Sequence, residues 1–291
     1  MTIVAETAIS ESGMIARPRR RRRGSGASLS LAVGCVLIAF VLAGVLLAPW
    51  LTGAKPLALG PDTLQAPGWA HPMGTDDLGR DVYARVLYGG RVSLMIGVVS
   101  AAVGVALGTT IGLIAGFVGG ATDEALMRFT EAFQILPRLL VTIVVVALLG
   151  GGIGKVIMVI GFLSWPATAR VIRSRALVLR SEEFMAAAVL SGASWLRRIV
   201  RHALPNVWGY LLVSASLQVA SAVLSEAFLS FLGLGDPDRP SWGFLLQQGQ
   251  LFLQQAWWLT AFPGLALAMI ILGLNLLGDG LATNAARRGR R

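Results

Sequence analysis

The stretch "LSLAVGCVLIAFVLAGVLLAPWL", residues 29–51, decides the fold class. It lies within residues 24–54, which carry no charged side chain. A helix needs about 20 apolar residues to cross the hydrocarbon of a bilayer, so this stretch predicts a transmembrane helix. Five further apolar runs lie near 92–122, 138–151, 153–170, 207–232 and 259–281. The sequence therefore predicts an all-α membrane protein with six transmembrane helices.

The composition excludes a soluble globular protein. Hydrophobic residues make up 55% of the chain and charged residues 14%, and the mean hydropathy is +0.70. Much of the net charge of +10 lies in short segments beside apolar runs, where it orients helices, so we do not expect nucleic-acid binding. Cys35 is the only cysteine, which excludes an intrachain disulfide and a cysteine metal cluster.

The placement of basic residues predicts the topology. With the N-terminus inside, most of the 25 Lys and Arg residues fall in the inner segments, so the positive-inside rule places both termini in the cytoplasm. The predicted boundaries are an Arg-rich cytoplasmic tail at 1–28, the first transmembrane helix at 29–51, an extracytoplasmic loop at 52–91, a core of five transmembrane helices at 92–281 and a basic cytoplasmic tail at 282–291.

Small residues recur every four positions in the second apolar run. Because residues four apart share one face of a helix, they form a stripe on which another helix packs closely. We interpret the stripe as a packing surface; the alternative is that it lines a moving interface. Its members are Ser100, Gly104, Gly108, Gly112, Gly116 and Gly120.

The sequence lacks the motifs of enzymatic chemistry. "GGGIGKV" around Lys155 fails the phosphate-loop pattern, because Leu149 replaces the first glycine and Val156 replaces the Ser or Thr that holds magnesium. The predicted topology puts His71 and His202 on opposite sides of the membrane, so they do not form one metal site. We therefore expect no catalytic residue, metal site or cofactor in this chain.

Two polar residues near membrane depth are candidates for a translocation pathway. Glu226 lies at the outer end of the fifth span, where it either lines a polar path, pairs with an arginine or caps the helix at the headgroup boundary. Asn275 lies within the last span, and a buried amide there bonds another helix more often than it touches substrate.

A basic segment, "SEEFMAAAVLSGASWLRRIVRHALPN" at 181–206, separates two predicted spans. Its pattern predicts a short helix at 182–190, a break at Gly192 and a basic amphipathic helix at 195–203, with Pro205 starting the next span. Such an element either lies on anionic lipid or docks a second protein. The small residues Ala186 to Ala188 permit close approach by a partner and favour docking.

This segment resembles the cytoplasmic coupling loop of ABC importer permeases. The loop of that family runs E-A-A, three residues, G, nine residues and H-x-L-P. Ala186 stands where the family usually has glutamate, and Val189 where it often has arginine. The matching positions are Ala187, Ala188, Gly192, His202, Leu204, Pro205 and Asn206, and we assign Glu183, Arg197 and Arg201 to the same ATPase-coupling surface.

Other motifs narrow the resemblance to one subunit type. "HPMGTDDLGRDVYARVLYGGRVSL" at 71–94 is similar to the signature of the C-type permease subunit of dipeptide, oligopeptide and nickel importers. "LSFLGLGDPDRPSWG", "AWW", "FPG" and "LNLLGDGL" follow in the order of the family. The resemblance covers about residues 25–285 and implies the type I ABC importer permease fold in a bacterial cell membrane.

The resemblance also implies partners. A second, homologous permease chain forms the other half of the pathway, two cytoplasmic ATPase subunits bind ATP and magnesium, and an extracytoplasmic protein delivers the solute. The coupling segment then transmits closure of the ATPases to the spans. The loop at 233–258, with Trp242, Trp257 and Trp258, meets the solute-binding protein or forms an outer gate, or else its tryptophans lie at the bilayer interface.

Alternative functions stay open at this point. An autonomous secondary transporter or channel predicts intramembrane charges, broken helices or internal repeats, whereas the sequence has no clear repeat and almost no charge within its spans. A non-transport scaffold subunit leaves the 71–94 signature unexplained. The resemblance favours peptides as cargo, with nickel chelates, glutathione and oligosaccharides as alternatives.

Overall fold

The computed structural model describes the backbone of residues 24–288 and the side chains of residues 29–283. Over this range the chain is helical, with a single isolated bridge between Thr75 and Asp81. The helices are α1 Gly24–Leu46, α2 Ala48–Leu51, α3 Val82–Val118, α4 Gly120–Ile135, α5 Arg138–Leu149, α6 Ile153–Arg180, α7 Glu183–Leu190, α8 Trp195–Arg198, α9 Leu204–Phe231, α10 Trp242–Gly249 and α11 Trp258–Arg288.

The helices confirm an all-α membrane protein. Five of them are long and apolar enough to cross a bilayer: α1, α3, α6, α9 with the turn before it, and α11. A sixth span is formed by α4 and α5 together, which are bent by 77° relative to each other. The predicted six spans therefore correspond to five straight helices and one broken helix.

The bundle has two distinct ends. We call the end that carries α7 and α8 the basic end, and the end that carries residues 52–81 and α10 the signature end. Helix α3 starts at the signature end and finishes at the basic end, where the position of Gly119 lies beside Arg180 at the end of α6. Helix α9 starts at the basic end and leads into α10.

Helix α3 starts earlier than the sequence predicts. It begins at Val82, whereas the apolar pattern places the span at 92–122 and leaves 52–91 as a loop. The Asp81 side chain caps the helix by accepting a hydrogen bond from the backbone N–H of Ala84 at 3.2 Å. The arginines that suggest a loop are bonded: Arg91 donates to the carbonyl of Val45 at the end of α1, and Arg85 is buried in an ionic cluster.

The third span breaks at Pro137. Sequence analysis places one span at 138–151, but the structure has α4 and α5 on either side of Leu136 and Pro137. Proline has no N–H to donate, and it forces the residue before it into an extended conformation. Leu136 has that conformation, with φ −81° and ψ 136°, which explains the bend.

The predicted tails are partly helical. Residues 24–28 belong to α1 and residues 282–288 to α11, although the sequence assigns both segments to tails. The rest of those tails, 1–23 and 289–291, lies outside the described residues.

The glycine stripe of α3 packs directly against α6. A Cβ atom on Gly108 would lie 2.6 Å from the backbone oxygen of Trp165, and one on Gly112 would lie 2.5 Å from that of Ala169. Contacts this short show that the helices touch backbone to backbone. Gly104 and Gly116 face α6 in the same way, beside Ser164 and Ala176.

The ends of the stripe differ from its middle. Ser100 donates a hydrogen bond from Oγ to the carbonyl oxygen of Ile157 in α6 at 3.3 Å. Gly120 lies beyond the end of α3 with a φ of +57°, and a Cβ there would meet no atom within 4 Å. The packing surface therefore runs from Ser100 to Gly116, and Gly120 begins α4.

Candidate functional site

The basic segment at 181–206 forms a helix–turn–helix at the basic end. Helix α7 follows α6 after Ser181 and Glu182, and it ends at a turn in which Gly192 has a φ of +77°. Glycine adopts this left-handed conformation without steric cost. Ser194 then caps α8, because its Oγ accepts a hydrogen bond from the backbone N–H of Arg197 at 3.4 Å. The predicted helix, break and helix are confirmed.

Two side chains of α7 anchor this segment. Met185 is 1% exposed and Ala188 is 8% exposed, so this face of α7 packs against the bundle. The opposite face is open, and Glu183 and Ala187 are exposed on it. No atom of the described residues lies within 4 Å of the position of a Cβ on Gly192, so the turn projects away from the described part of the bundle.

The open face combines apolar and basic side chains. Arg197, Arg201 and Pro205 are exposed, and His202 and Leu204 are half-buried. Charged side chains keep such a surface soluble, while large exposed apolar groups mark a contact surface. The large apolar side chains that are at least 40% exposed are Phe184, Val189, Leu190, Trp195, Leu196 and Val200.

A π-helical turn, Ile199–Ala203, joins α8 to α9 without a break. Pro205, in the first turn of α9, has no N–H and cannot donate a helical hydrogen bond. The backbone N–H of Leu204, just before it, donates to the carbonyl of Ile199, five residues earlier. Ile199 and Ala203 are buried in a cluster that includes Ile172 of α6. The basic segment is therefore packed against α6 and continuous with α9. The sequence predicts the helix but not its π turn.

The signature end is organised around a buried carboxylate. Asp76 is 2% exposed and accepts hydrogen bonds from Nε of Arg80 at 2.7 Å and from Nη1 of Arg85. Nη2 of Arg85 donates to Oε1 of Gln248 in α10 at 2.7 Å. Both arginines form ion pairs with Asp76, although Nη2 of Arg80 and Nε of Arg85 are buried without a hydrogen-bond partner among the described residues. The signature residues thus join the loop before α3 to α10.

Thr75 connects the same loop to α11. Its Oγ1 donates to the carbonyl oxygen of Asp62 at 2.6 Å, and its carbonyl oxygen accepts a bond from Nε1 of Trp258 at 3.1 Å. Trp258 is 5% exposed, whereas Trp257 is 56% exposed. Of these two tryptophans, only Trp257 offers a surface to a partner or to the bilayer interface.

Glu226 and Trp242 lie together in the core. Ser93 of α3 donates to Oε2 of Glu226 at 3.0 Å and accepts a bond from the backbone N–H of Trp242 at 3.2 Å. Ser230 donates to the other carboxylate oxygen at 2.7 Å. The indole N–H of Trp242 bonds the carbonyl of Val86 at 2.8 Å.

Both of these side chains are 1% exposed. In the described part of the chain Glu226 has no arginine within ion-pairing distance, so the alternative that it pairs with an arginine is not observed. The buried position of Trp242 does not fit a contact with a solute-binding protein. Together they join α3, α9 and α10.

Asn275 is exposed on α11. This position differs from the buried amide expected from the sequence, and it leaves Asn275 on a face of the bundle that this chain does not cover. Lys155 donates to the carbonyl oxygen of Leu149 at 2.5 Å, across the turn between α5 and α6. His71 lies at the signature end beside Asp81, and His202 lies at the basic end.

Sequence reasoning missed two groups of polar residues. Sequence analysis places Asp76 and Arg85 in the loop at 52–91, whereas in the structure both are buried and Arg85 lies in α3. Arg138 lies at the bend between α4 and α5 and bonds Ser221 of α9, a contact that the span predicted at 138–151 does not indicate. The sequence feature that indicates this bend is Pro137, followed by Arg138, beside an apolar run, since proline interrupts a helix.

Known proteins place this geometry in a family. The family model described as the inner membrane component of binding-protein-dependent transport systems matches residues 108–291. A Brucella suis protein provisionally named a peptide transport system permease is 42% identical over 274 residues, which cover 92% of this chain and 89% of that protein. The "Dipeptide transport system permease protein DppC" of Escherichia coli is 40% identical over 257 residues, 86% of each chain.

The family model covers more than half of the chain, and the two relatives match most of its length. Both findings agree with the helical bundle. The chain therefore belongs to the inner membrane components of binding-protein-dependent transport systems and is a multi-pass permease subunit of the ABC importer family.

Proposed function

We propose that this chain forms half of the translocation pathway of an ATP-driven importer of dipeptides or oligopeptides. The names of the relatives support a peptide cargo, and the signature motif at 71–94 supports the same class. A second homologous permease chain supplies the other half of the pathway, and a solute-binding protein delivers the peptide outside the membrane.

The observation that carries the proposal is the helix–turn–helix at 181–206. It is anchored by one face of α7 and by the π turn, and it presents small, apolar and basic side chains on its open face. We infer that this face docks into a cytoplasmic ATPase subunit, and that both termini of the chain lie on the cytoplasmic side. Two such ATPase subunits bind ATP and magnesium for the complex.

The packing indicates how motion of the basic segment reaches the membrane helices. The basic segment continues into α9, and its first helix, α7, is separated from α6 by two residues. Helix α6 in turn packs on α3 through backbone contacts that leave no room for sliding. Closure of the ATPases therefore moves α3, α6 and α9 as rigid elements, and the pathway opens between them and the second permease chain.

The experiment is to purify the tagged chain together with the products of its neighbouring genes and to reconstitute the complex in liposomes. The proposal expects ATP hydrolysis that rises when peptide-loaded binding protein is added, together with peptide uptake. A folded chain that purifies without an ATPase would overturn the docking proposal. Stimulation by a loaded sugar-binding or nickel-binding protein instead of a peptide-binding one would overturn the proposed cargo.

A further inference from the structure

Arg138 is a charged residue at the break in the third span. It begins α5, and its Nη2 donates to Oγ of Ser221 in α9 at 2.6 Å, with Oγ of Ser225 at 3.5 Å. Arg138 and Ser221 are half-buried. The guanidinium therefore lies where the bent span meets α9, and part of it is open.

The serines place this guanidinium inside the membrane. Helix α9 has 28 residues, and at 1.5 Å per residue Ser221 lies roughly 26 Å from its start and roughly 15 Å from its end. The hydrocarbon of a bilayer is about 30 Å thick. Neither end of α9 is close enough to Ser221 for Arg138 to reach the basic end or the signature end.

The charge of Arg138 has no counter-ion in the described part of the chain. No carboxylate of those residues lies within 4.0 Å of its nitrogens. Glu226 follows Ser225 in α9, but its two oxygens bond Ser93 and Ser230. The contacts to serine use only Nη2, which leaves Nη1 and Nε free to donate.

The surface around Arg138 is apolar and open. Leu136 and Leu140 on the bent span are both 59% exposed, and Leu224 and Phe228 on α9 are 53% and 42% exposed. A cation facing hydrocarbon is costly, so intramembrane arginines face water or a polar partner. The open side of the Arg138 guanidinium, unlike the leucines beside it, therefore requires a polar space or a polar partner in the proposed importer.

We propose that Arg138 binds the carboxylate of the peptide as it crosses the membrane, and so helps to determine which cargo passes. The inference rests on the proposed function. Guanidinium and carboxylate match in geometry and charge. The two serine hydroxyls orient the guanidinium without neutralising it, so the site attracts an anionic group and releases it again, as a pathway requires.

The test uses Arg138→Gln and Arg138→Lys in the complete importer, reconstituted with saturating loaded binding protein. Two peptides of one sequence are compared, one with a free C-terminal carboxylate and one with a C-terminal amide. Arg128→Gln is the matched control, because Arg128 lies on α4 of the same span but its side chain is 75% exposed and pairs with Glu131.

We expect Arg138→Gln to lower uptake of the carboxylate peptide by about tenfold and to leave uptake of the amide unchanged, so that the preference for carboxylate disappears. Arg138→Lys retains part of the preference, and Arg128→Gln retains all of it. ATP hydrolysis stimulated by loaded binding protein stays within twofold of the wild type, since the docking segment is untouched.

Two results would overturn the inference. One is an unchanged ratio of carboxylate to amide uptake in Arg138→Gln. The other is loss of the second permease chain from the purified Arg138→Gln complex, which would make Arg138 a partner of a carboxylate on that chain. Failure of the wild-type importer to take up either peptide would instead refute the proposed function.

Discussion

The contact between α3 and α6 differs sharply from the surface of the bent span. In the first, glycines bring two backbones together, and a Cβ on Gly108 would lie 2.6 Å from a backbone oxygen. In the second, α4 and α5 meet at an angle of 77°, and side chains such as Ile135 and Leu148 are 79% and 82% exposed. In the first region the helices leave no space for a larger side chain, whereas in the second one face carries exposed apolar side chains.

The difference shows how one chain combines transmission with transport. The α3 and α6 pair behaves as one body, because interlocked backbones cannot slide without first separating. Helix α6 leads directly into the basic segment, residues 181–206, at the basic end. Under the proposed function, the apolar surface of the bent span contacts the second permease chain and its break lies at the pathway. Stability is concentrated in the first region, and contact with other molecules in the second.

The largest effect is expected at the glycine stripe. Gly108→Ala places a methyl group against the backbone of α6, and relief requires the two helices to separate. We expect a loss of about 2–3 kcal/mol in the free energy of unfolding, measured by thermal or denaturant unfolding of the purified chain in detergent.

Gly154→Ala is the matched control, because Gly154 lies in the first turn of α6 and a Cβ there would meet no atom within 4 Å. That variant should keep or slightly raise the stability of the chain. Equal stabilities for the Gly108 and Gly154 variants would contradict the rigid contact between α3 and α6.

A smaller effect is expected within the bent span itself. Val146 is fully buried in a cluster with Val156 and Ile160 of α6, whereas Val144 on the same helix is 56% exposed. Val146→Ala should lower the free energy of unfolding of the isolated chain by about 1–2 kcal/mol, and Val144→Ala by less than about 0.5 kcal/mol.

Unfolding of the two purified variants in detergent distinguishes them. If Val144→Ala costs as much as Val146→Ala, the outer surface of the bent span is packed against something within the chain itself. In the assembled complex the difference between the two variants should shrink, since a second permease chain would cover Val144.

The smallest effect is expected at the link between the two regions. Arg173 of α6 donates from Nε and Nη2 to the two carboxylate oxygens of Asp123 in α4, at 2.5 and 2.7 Å. The pair is partly exposed, so we expect Asp123→Asn to lower the free energy of unfolding by about 1 kcal/mol or less. A double-mutant cycle with Arg173→Gln measures the coupling, and a coupling energy of zero would show that α4 is held by its apolar contacts alone.

The sequence predicted the elements whose pattern is periodic and uncharged. Apolar length identified the membrane helices, and the four-residue interval of glycines identified the surface that α6 covers. The start of α3 was placed ten residues late, because an isolated sequence does not show that Asp76 neutralises Arg85. The bend at Pro137 was not predicted, because the length of an apolar run indicates a membrane span but not the direction of its helix axis.

The candidate site was predicted unevenly for the same physical reason. The helix, turn and helix at 181–206 follow from local signals, namely small residues, Gly192 and Pro205. Glu226 and Asn275 became pathway candidates from their type and depth, and Trp242 an outer-gate candidate from its place in the loop at 233–258. The exposure of all three depends on packing, which these signals do not report. Glu226 and Trp242 proved buried and Asn275 exposed.

The most direct test of the central claim, that residues 181–206 dock an ATPase, is a cross-linking measurement on the assembled complex. Cys35 is first replaced by serine, and a single cysteine is then introduced as Ala187→Cys or Ala188→Cys. Ala187 is exposed, and its neighbour Ala188 is 8% exposed. With a thiol-reactive photo-cross-linker we predict strong cross-linking of the ATPase from position 187 and little from position 188. Absence of cross-linking from position 187 in a complex that retains its ATPase would contradict docking at this segment.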